Sequence, residues 1–312
     1  MIGLADVEAA ARRIAPQVRR TPLVRVEQAL HPVGPADLWL KLECLQVTGS
    51  FKARGAMNRL LTTPRDAIAR GIVTASGGNH GLATARAGYI AGVPTTVFLP
   101  ANASAEKRAK LLAWGAEVRI EGQVWDAADR AARAFAEATG AVYFHPFADP
   151  AIVAGQGTVA LEILDDLPDA SLYLIAIGGG GLASGIATVL SALAPAARII
   201  GVEPVGSPTL YASLAAGHVV TLPEVTNSVA TMACGRTDER IFEILRGALE
   251  RVVLIEDAAM IAAARWLWFE MGLAADASGA AAVAALQSGA VTPRPAEKVC
   301  ALVCGAGPDG IA

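Results

Sequence analysis

Aromatic residues are scarce in this chain: Phe, Trp and Tyr make up 5% of its 312 residues, although 54% of the chain is hydrophobic. The apolar mass is instead carried largely by alanine and aliphatic side chains, which suits helices packed closely on a sheet. Cysteine is scarce too. Cys44, Cys234, Cys300 and Cys304 show neither the paired spacing of a zinc site nor the density of a disulfide scaffold, and they fit a reducing cytoplasm. An excess of one charge is also lacking. The net charge is −3, with acids and bases interspersed, so the chain sets up no field for nucleic acid or an anionic membrane. The opening stretch MIGLADVEAAARRIAP reads as an amphipathic helix with charges throughout, not as a signal peptide. From Ala170 to Ala197 no charge occurs, which is long enough to span a bilayer. Four consecutive glycines and Pro195 interrupt that run, so it reads as strand, loop and helix. Internal repeats, low-complexity tracts and Pro/Ser-rich linkers are absent.

What is present alternates. Short apolar runs at Leu38–Glu43, Gly71–Ser76, Thr95–Leu99, Ala116–Glu121, Ala141–Phe144, Leu172–Ile177, Arg198–Val202, Arg251–Ile255 and Lys298–Val303 read as strands. Between most of them lie stretches of helical period, such as Asp126–Thr139 and Ala258–Met271. This is the βα alternation of an α/β protein with largely parallel sheets covered by helices. The length suffices for one large core or two modest domains.

Three segments carry chemistry. In GSFKARGA (Gly49 to Ala56), Lys52 stands among small and apolar residues. Such a setting disfavours the ammonium and lowers its pKa, and a neutral amine can form a Schiff base with an aldehyde. In IGGGGLASG (Ile177 to Gly185), four glycines separate an apolar strand from a helical stretch. Backbone N–H groups in such a turn can approach an anion at the positive end of a helix. The spacing is not that of a dinucleotide fingerprint. The third segment is TASGGNHG (Thr74 to Gly81).

Together the three segments resemble the signature of the fold-type II pyridoxal-phosphate enzymes, specifically the serine/threonine dehydratase and serine racemase family, from about Thr21 to about Gly305. The resemblance implies a tryptophan synthase β-like architecture. A large cofactor-binding domain would span 1–53 and 148–312, a small inserted α/β domain 54–147, and the site would lie in the cleft between them. It also implies a homodimer acting on a small amino acid. Lys52 would hold pyridoxal 5'-phosphate, with Gly178, Gly179, Gly180, Gly181 and Leu182 around the phosphate. Asn79 would meet the phenolic oxygen and Cys304 the pyridine nitrogen. A neutral thiol is a weak partner there and moderates the electron sink, which suits elimination. Ser76, Gly77, Asn79 and the backbone around His80 match the pocket for the substrate carboxylate, and His80 itself is expected to be positioned by packing rather than used as a base.

Departures from the family pattern discriminate activities. Racemising relatives carry a serine two residues before the Asn, where this chain has Gly77, with no side chain to deliver a proton. The family's cation site uses the acid of GVEP, here Glu203, with a carbonyl at Ser207 and an Asp whose place Thr209 takes. With one acid lost, a monovalent ion or an empty site is expected rather than Mg²⁺. Thr231 and Met232 replace an Asp and a Gly expected to line the substrate side, and Asp276 replaces a usual Glu. The expected activity is dehydration and deamination of a β-hydroxy-α-amino acid to a 2-oxo acid and ammonia. L-threonine and L-serine are the default substrates, with phenylserine or hydroxyaspartate as bulkier or acidic alternatives. Racemisation and β-replacement are the rival reactions, and no regulatory domain is expected after the catalytic body.

Overall fold

In the computed structural model, which describes residues 2–34, 37–101, 103, 105–122 and 125–311, the strands form two sheets. They are β1 Leu23–Arg25, β2 Asp37–Lys41, β3 Ile72–Ala75, β4 Thr95–Leu99, β5 Glu117–Ile120, β6 Val142–Tyr143, β7 Leu172–Ala176, β8 Arg198–Pro204, β9 Arg251–Ile255 and β10 Lys298–Leu302. One sheet has the order β1-β2-β10-β7-β8-β9 and the other β5-β4-β3-β6. All pairings are parallel except β1 with β2. Strand β7 at the middle of the larger sheet, LYLIA, is buried at every position. Such a continuous apolar run is what a strand covered by helices on both faces requires. The nine sequence-expected strands are present with ends moved by at most two residues. The short β1 adds an antiparallel edge that periodicity does not reveal.

The charge-free run resolves into β7, the glycine turn and the helix Gly181–Leu193. Among the described residues no helix is long and apolar enough to cross a membrane. One large core cluster surrounds the six-stranded sheet, and smaller clusters flank the four-stranded one.

Glycine contacts bring three helices unusually close. A Cβ added at Gly155 would stand 2.7 Å from the Arg54 carbonyl oxygen, and one at Gly185 would stand 2.5 Å from the Gly157 nitrogen. The helices Lys52–Thr62, Pro150–Asp166 and Gly181–Leu193 therefore pack backbone to backbone. This packing carries the sequence-predicted lysine and glycine loop to one end of the sheet.

Candidate active site

Lys52 opens the helix Lys52–Thr62. Its Nζ donates to the Pro146 carbonyl oxygen at 2.7 Å and lies 5.2 Å from the centre of the Phe51 ring. Burial pulls its ammonium down to about 8, although the residue keeps partial exposure. Its acceptor is held by His145, whose Nδ1 accepts the Phe147 and Ala148 N–H groups at 3.2 and 2.9 Å. Sequence reasoning had no signal for His145. Its burial, with Arg133 nearby, pulls the imidazolium down to about 4.

The segment behind Lys52 also seats the glycine loop. A Cβ at Gly179 would meet the Phe147 ring at 2.3 Å, and one at Gly181 would meet the Phe147 carbonyl at 2.7 Å. Gly180 takes a left-handed φ of 89° at the helix cap, where any other residue would be strained. The Thr237 hydroxyl donates to the Gly179 carbonyl at 3.1 Å. The first turn of the helix Gly181–Leu193 has no side-chain cap, so its N–H groups and positive end are available to an anion. A desolvated amine beside an uncapped, side-chain-free helix start fits an aldehyde that carries a phosphate.

On the other side of Lys52, Phe51 N donates to the Cys304 carbonyl at 3.3 Å. The Cys304 thiol is buried and donates to the Ser278 carbonyl at 3.4 Å. Burial and then Asp276 push its pKa up, so the thiol stays protonated. Its S–H therefore already has an acceptor, and the pyridine nitrogen would meet the sulfur rather than a free donor. Asp276 ties this corner together. It accepts Asn79 Nδ2 at 3.0 Å, Ser278 Oγ at 2.6 Å and Gly279 N at 2.6 Å. An Asn amide has two N–H groups, so one remains to face a cofactor oxygen. A Cβ at Gly305 would lie 2.6 Å from Asp276 Oδ2 and 2.8 Å from Asn79 Nδ2. Asp276 is thus a site residue that the sequence showed only as a mild substitution.

Asn79 also opens the helix Asn79–Ala91, whose start likewise has no side-chain cap. Ser76 Oγ accepts the Gly78 N–H at 3.3 Å. His80 is 2% exposed, and its Nε2 lies 3.1 Å from the Phe144 carbonyl. A carbonyl only accepts, so Nε2 carries the proton and Nδ1 is left without a partner. Burial and then Lys52 pull its imidazolium down to about 3. A Cβ at Gly77 would sit 3.3 Å from Leu99 Cδ2 and 3.6 Å from Ala103 Cβ.

Beneath the lysine lies a buried ionic network. Arg54 donates to both Glu43 oxygens at 2.8 Å and to Glu162 at 2.7 and 2.9 Å, and Lys41 Nζ donates to Glu162 at 2.6 Å. Two bidentate pairs in a largely buried setting fix the start of the lysine helix in angle as well as position.

Burial places two further residues. Glu203, expected at the family's cation site, points into the fold. It is fully buried, and its oxygens accept the Leu210 and Tyr211 N–H groups at 2.8 Å each, which caps the helix Thr209–Ala216. Burial pushes its carboxyl up to about 8 against those two N–H bonds. Met232 does not line a substrate pocket, because its side chain is 2% exposed and belongs to the main core. Thr231 is exposed, and its Cγ2 would lie 3.3 Å from a Cβ at Gly78.

The comparisons agree with this geometry. A profile of the family described as pyridoxal-phosphate dependent enzyme matches residues 14–305. The chain is 38% identical over 296 residues to L-threonine ammonia-lyase of Geobacter sulfurreducens, covering 95% of this chain and 73% of that one. The structure of maize serine racemase superposes with a TM-score of 0.92 at 30% identity, covering 97% of this chain and 93% of the other. The processed form of threonine deaminase isoform 2 from Solanum lycopersicum superposes with a TM-score of 0.90 at 30% identity, covering 97% of this chain and 88% of the other.

Proposed function

The chain belongs to the pyridoxal-phosphate-dependent enzyme family and is an ammonia-lyase, and from that premise we propose that it eliminates water from L-threonine or L-serine to give a 2-oxo acid and ammonia. The observation that carries this choice over racemisation is a lysine base paired with a glycine at position 77. Lys52 supplies an amine that burial keeps near neutrality, while position 77 offers no side chain.

The residues divide the work. The glycine loop and the start of the Gly181–Leu193 helix would hold the cofactor phosphate. Asn79, oriented by Asp276, would hold the phenolic oxygen, and Cys304 would stand at the pyridine nitrogen. When bound, pyridoxal phosphate supplies the electron sink for charge developing at Cα. The uncapped start of the Asn79–Ala91 helix, with Ser76, would hold the substrate carboxylate. The Lys52 amine, steered by the Pro146 carbonyl, removes the Cα proton. Neutral His80, with its proton on the Phe144 side, donates nothing to the substrate. The hydroxyl leaves as water, and the enamine released takes up water to give the 2-oxo acid and ammonia.

Phenylserine and hydroxyaspartate belong in the same substrate panel. With Met232 in the core, a preference for an apolar β-substituent rests on Thr231 alone, and threonine ranks first. The same reading carries a cytoplasmic homodimer. Its small domain at 54–147 contains the whole four-stranded sheet, and the six-stranded sheet falls in 1–53 and 148–312, which supports that division.

The test is 2-oxo-acid formation from the panel, with chiral analysis of amino acid recovered at partial turnover. Threonine and serine should be consumed with little D-enantiomer. Substantial D-serine or D-threonine from the native enzyme would assign it to the racemases instead. Gly77→Ser should raise racemisation, since its Cβ needs only a slight shift of Leu99.

A further inference from the structure

The place where the family resemblance puts a cation is filled by the chain's own hydroxyls. Ser207 and Thr209, at 1% and 0% exposure, both donate to the Cys234 carbonyl, Ser207 at 2.8 Å. Cys234 N donates back to Ser207 Oγ at 3.0 Å. Thr226 N donates to the Gly206 carbonyl at 2.9 Å, and a Cβ at Gly206 would meet Asn227 N at 2.5 Å. Both Glu203 oxygens are engaged by backbone N–H groups. Among the described residues no group of three or more His, Cys, Asp or Glu side chains is arranged to hold a metal ion. A hard cation needs several free oxygens, and here the Ser207 and Thr209 hydroxyls and both Glu203 oxygens already make hydrogen bonds within the chain.

This clamp holds a wall of the site. The segment 229–235 reaches the glycine loop, where a Cβ on Gly178 would lie 3.3 Å from Met232 Cα. It also reaches the Asn79 loop, through Thr231 against Gly78.

We propose that Ser207 and Thr209 are positioning residues that hold the 229–235 wall by hydroxyl hydrogen bonds in place of a cation, so that the enzyme needs no metal ion. The proposal rests on the ammonia-lyase reading for its kinetic arm only. Melting temperature and cofactor fluorescence of the holoenzyme read the clamp whatever the substrate.

The experiment compares the native holoenzyme and Thr209→Val, Thr209→Ser and Thr209→Asp after dialysis against EDTA, then with millimolar Mg²⁺, K⁺ or tetramethylammonium. The native melting point and fluorescence should be the same in all four conditions. Loss of one hydroxyl bond in Thr209→Val should shift the cofactor fluorescence and raise KM for threonine about 3–10-fold with a smaller change in kcat. Thr209→Ser should restore both. Thr209→Asp should melt higher with Mg²⁺ than with tetramethylammonium. A native enzyme stabilised by Mg²⁺ or K⁺, a Thr209→Val indistinguishable from native, or a Thr209→Asp indifferent to Mg²⁺ would each overturn the proposal. If Thr209→Val or Thr209→Asp does not fold, the native protein and Thr209→Ser still decide it. If threonine does not react at all, the melting and fluorescence arms stand alone.

Discussion

Lys52 works against the fold that holds it, and the sign of that conflict can be measured. Its folded pKa of about 8 lies below the ordinary 10.5. Between those values the unfolded chain holds the proton and the folded one does not, so folding gains as pH rises through the window. Below pH 8 both states are protonated and the penalty is complete. Apoprotein carrying Lys52→Ala should therefore be more stable than native apoprotein at pH 7, by about 1–3 kcal/mol. The advantage should shrink as pH approaches 10.5. Urea unfolding of both apoproteins at pH 7 and pH 10 checks this, and a variant less stable at pH 7 would contradict it. The same variant should lose lyase activity. Lys52 was legible in the sequence because its neighbours are too small and apolar for a solvated cation. Asp276 was not, since it meets Asn79 across 197 positions of the chain and only folding joins them. Glu203 was legible only in part for a related reason: a motif names a carboxylate, but its hydrogen-bond partners are set by the helix that starts six residues later.

At the scale of elements, the orientation of the lysine helix depends on charges buried beneath it. Arg54 spans Glu43, just after β2, and Glu162, on the Pro150–Asp166 helix. Replacing it with methionine fills much of the space but leaves Glu43, at 0% exposure, without its cation. A broken buried pair costs about 3–5 kcal/mol, so Arg54→Met should lower the denaturation midpoint sharply. Arg54→Lys should recover only part of it, because an ammonium cannot make two bidentate pairs. Chemical denaturation of the two variants decides the point, and a midpoint within error of native for Arg54→Met would refute it. Most strands were legible because parallel strands covered on both faces, such as β3, β4 and β7, are apolar or uncharged throughout and end at turn residues. Strand β1, with three residues and one neighbour, is too short to show any period. The close approach of the Gly55, Gly155, Gly157 and Gly185 backbones was invisible beforehand, because a glycine's partner is not written beside it.

For the whole molecule, the buried titratable groups oppose one another, and their balance sets its behaviour in acid. His80 and His145 fall from 6.5 to about 3 and about 4. In the interval the unfolded chain binds two protons that the folded one refuses, so stability falls as pH drops below 6.5. Glu203, raised from 4.5 to about 8, and Asp276, also raised, act in the other direction. They take up protons in the folded state first, and so gain stability on acidification. Each proton is worth about 1.4 kcal/mol per pH unit where only one state is protonated. From pH 6.5 to 5 the two histidines oppose Glu203 and Asp276, so native apoprotein should fare worse on acidification than a variant that lacks the histidine titrations. The double variant His80→Gln and His145→Asn keeps the hydrogen bonds, with the Gln amide donating to the Phe144 carbonyl and the Asn oxygen accepting from Phe147 and Ala148. It removes both titrations and leaves Glu203 and Asp276 to act. Its melting temperature should then hold or rise over the same interval. Scanning calorimetry of the two apoproteins at pH 6.5 and 5 reads the sign directly, and parallel losses in both would show that the acid lability lies elsewhere than in the two histidines flanking Lys52.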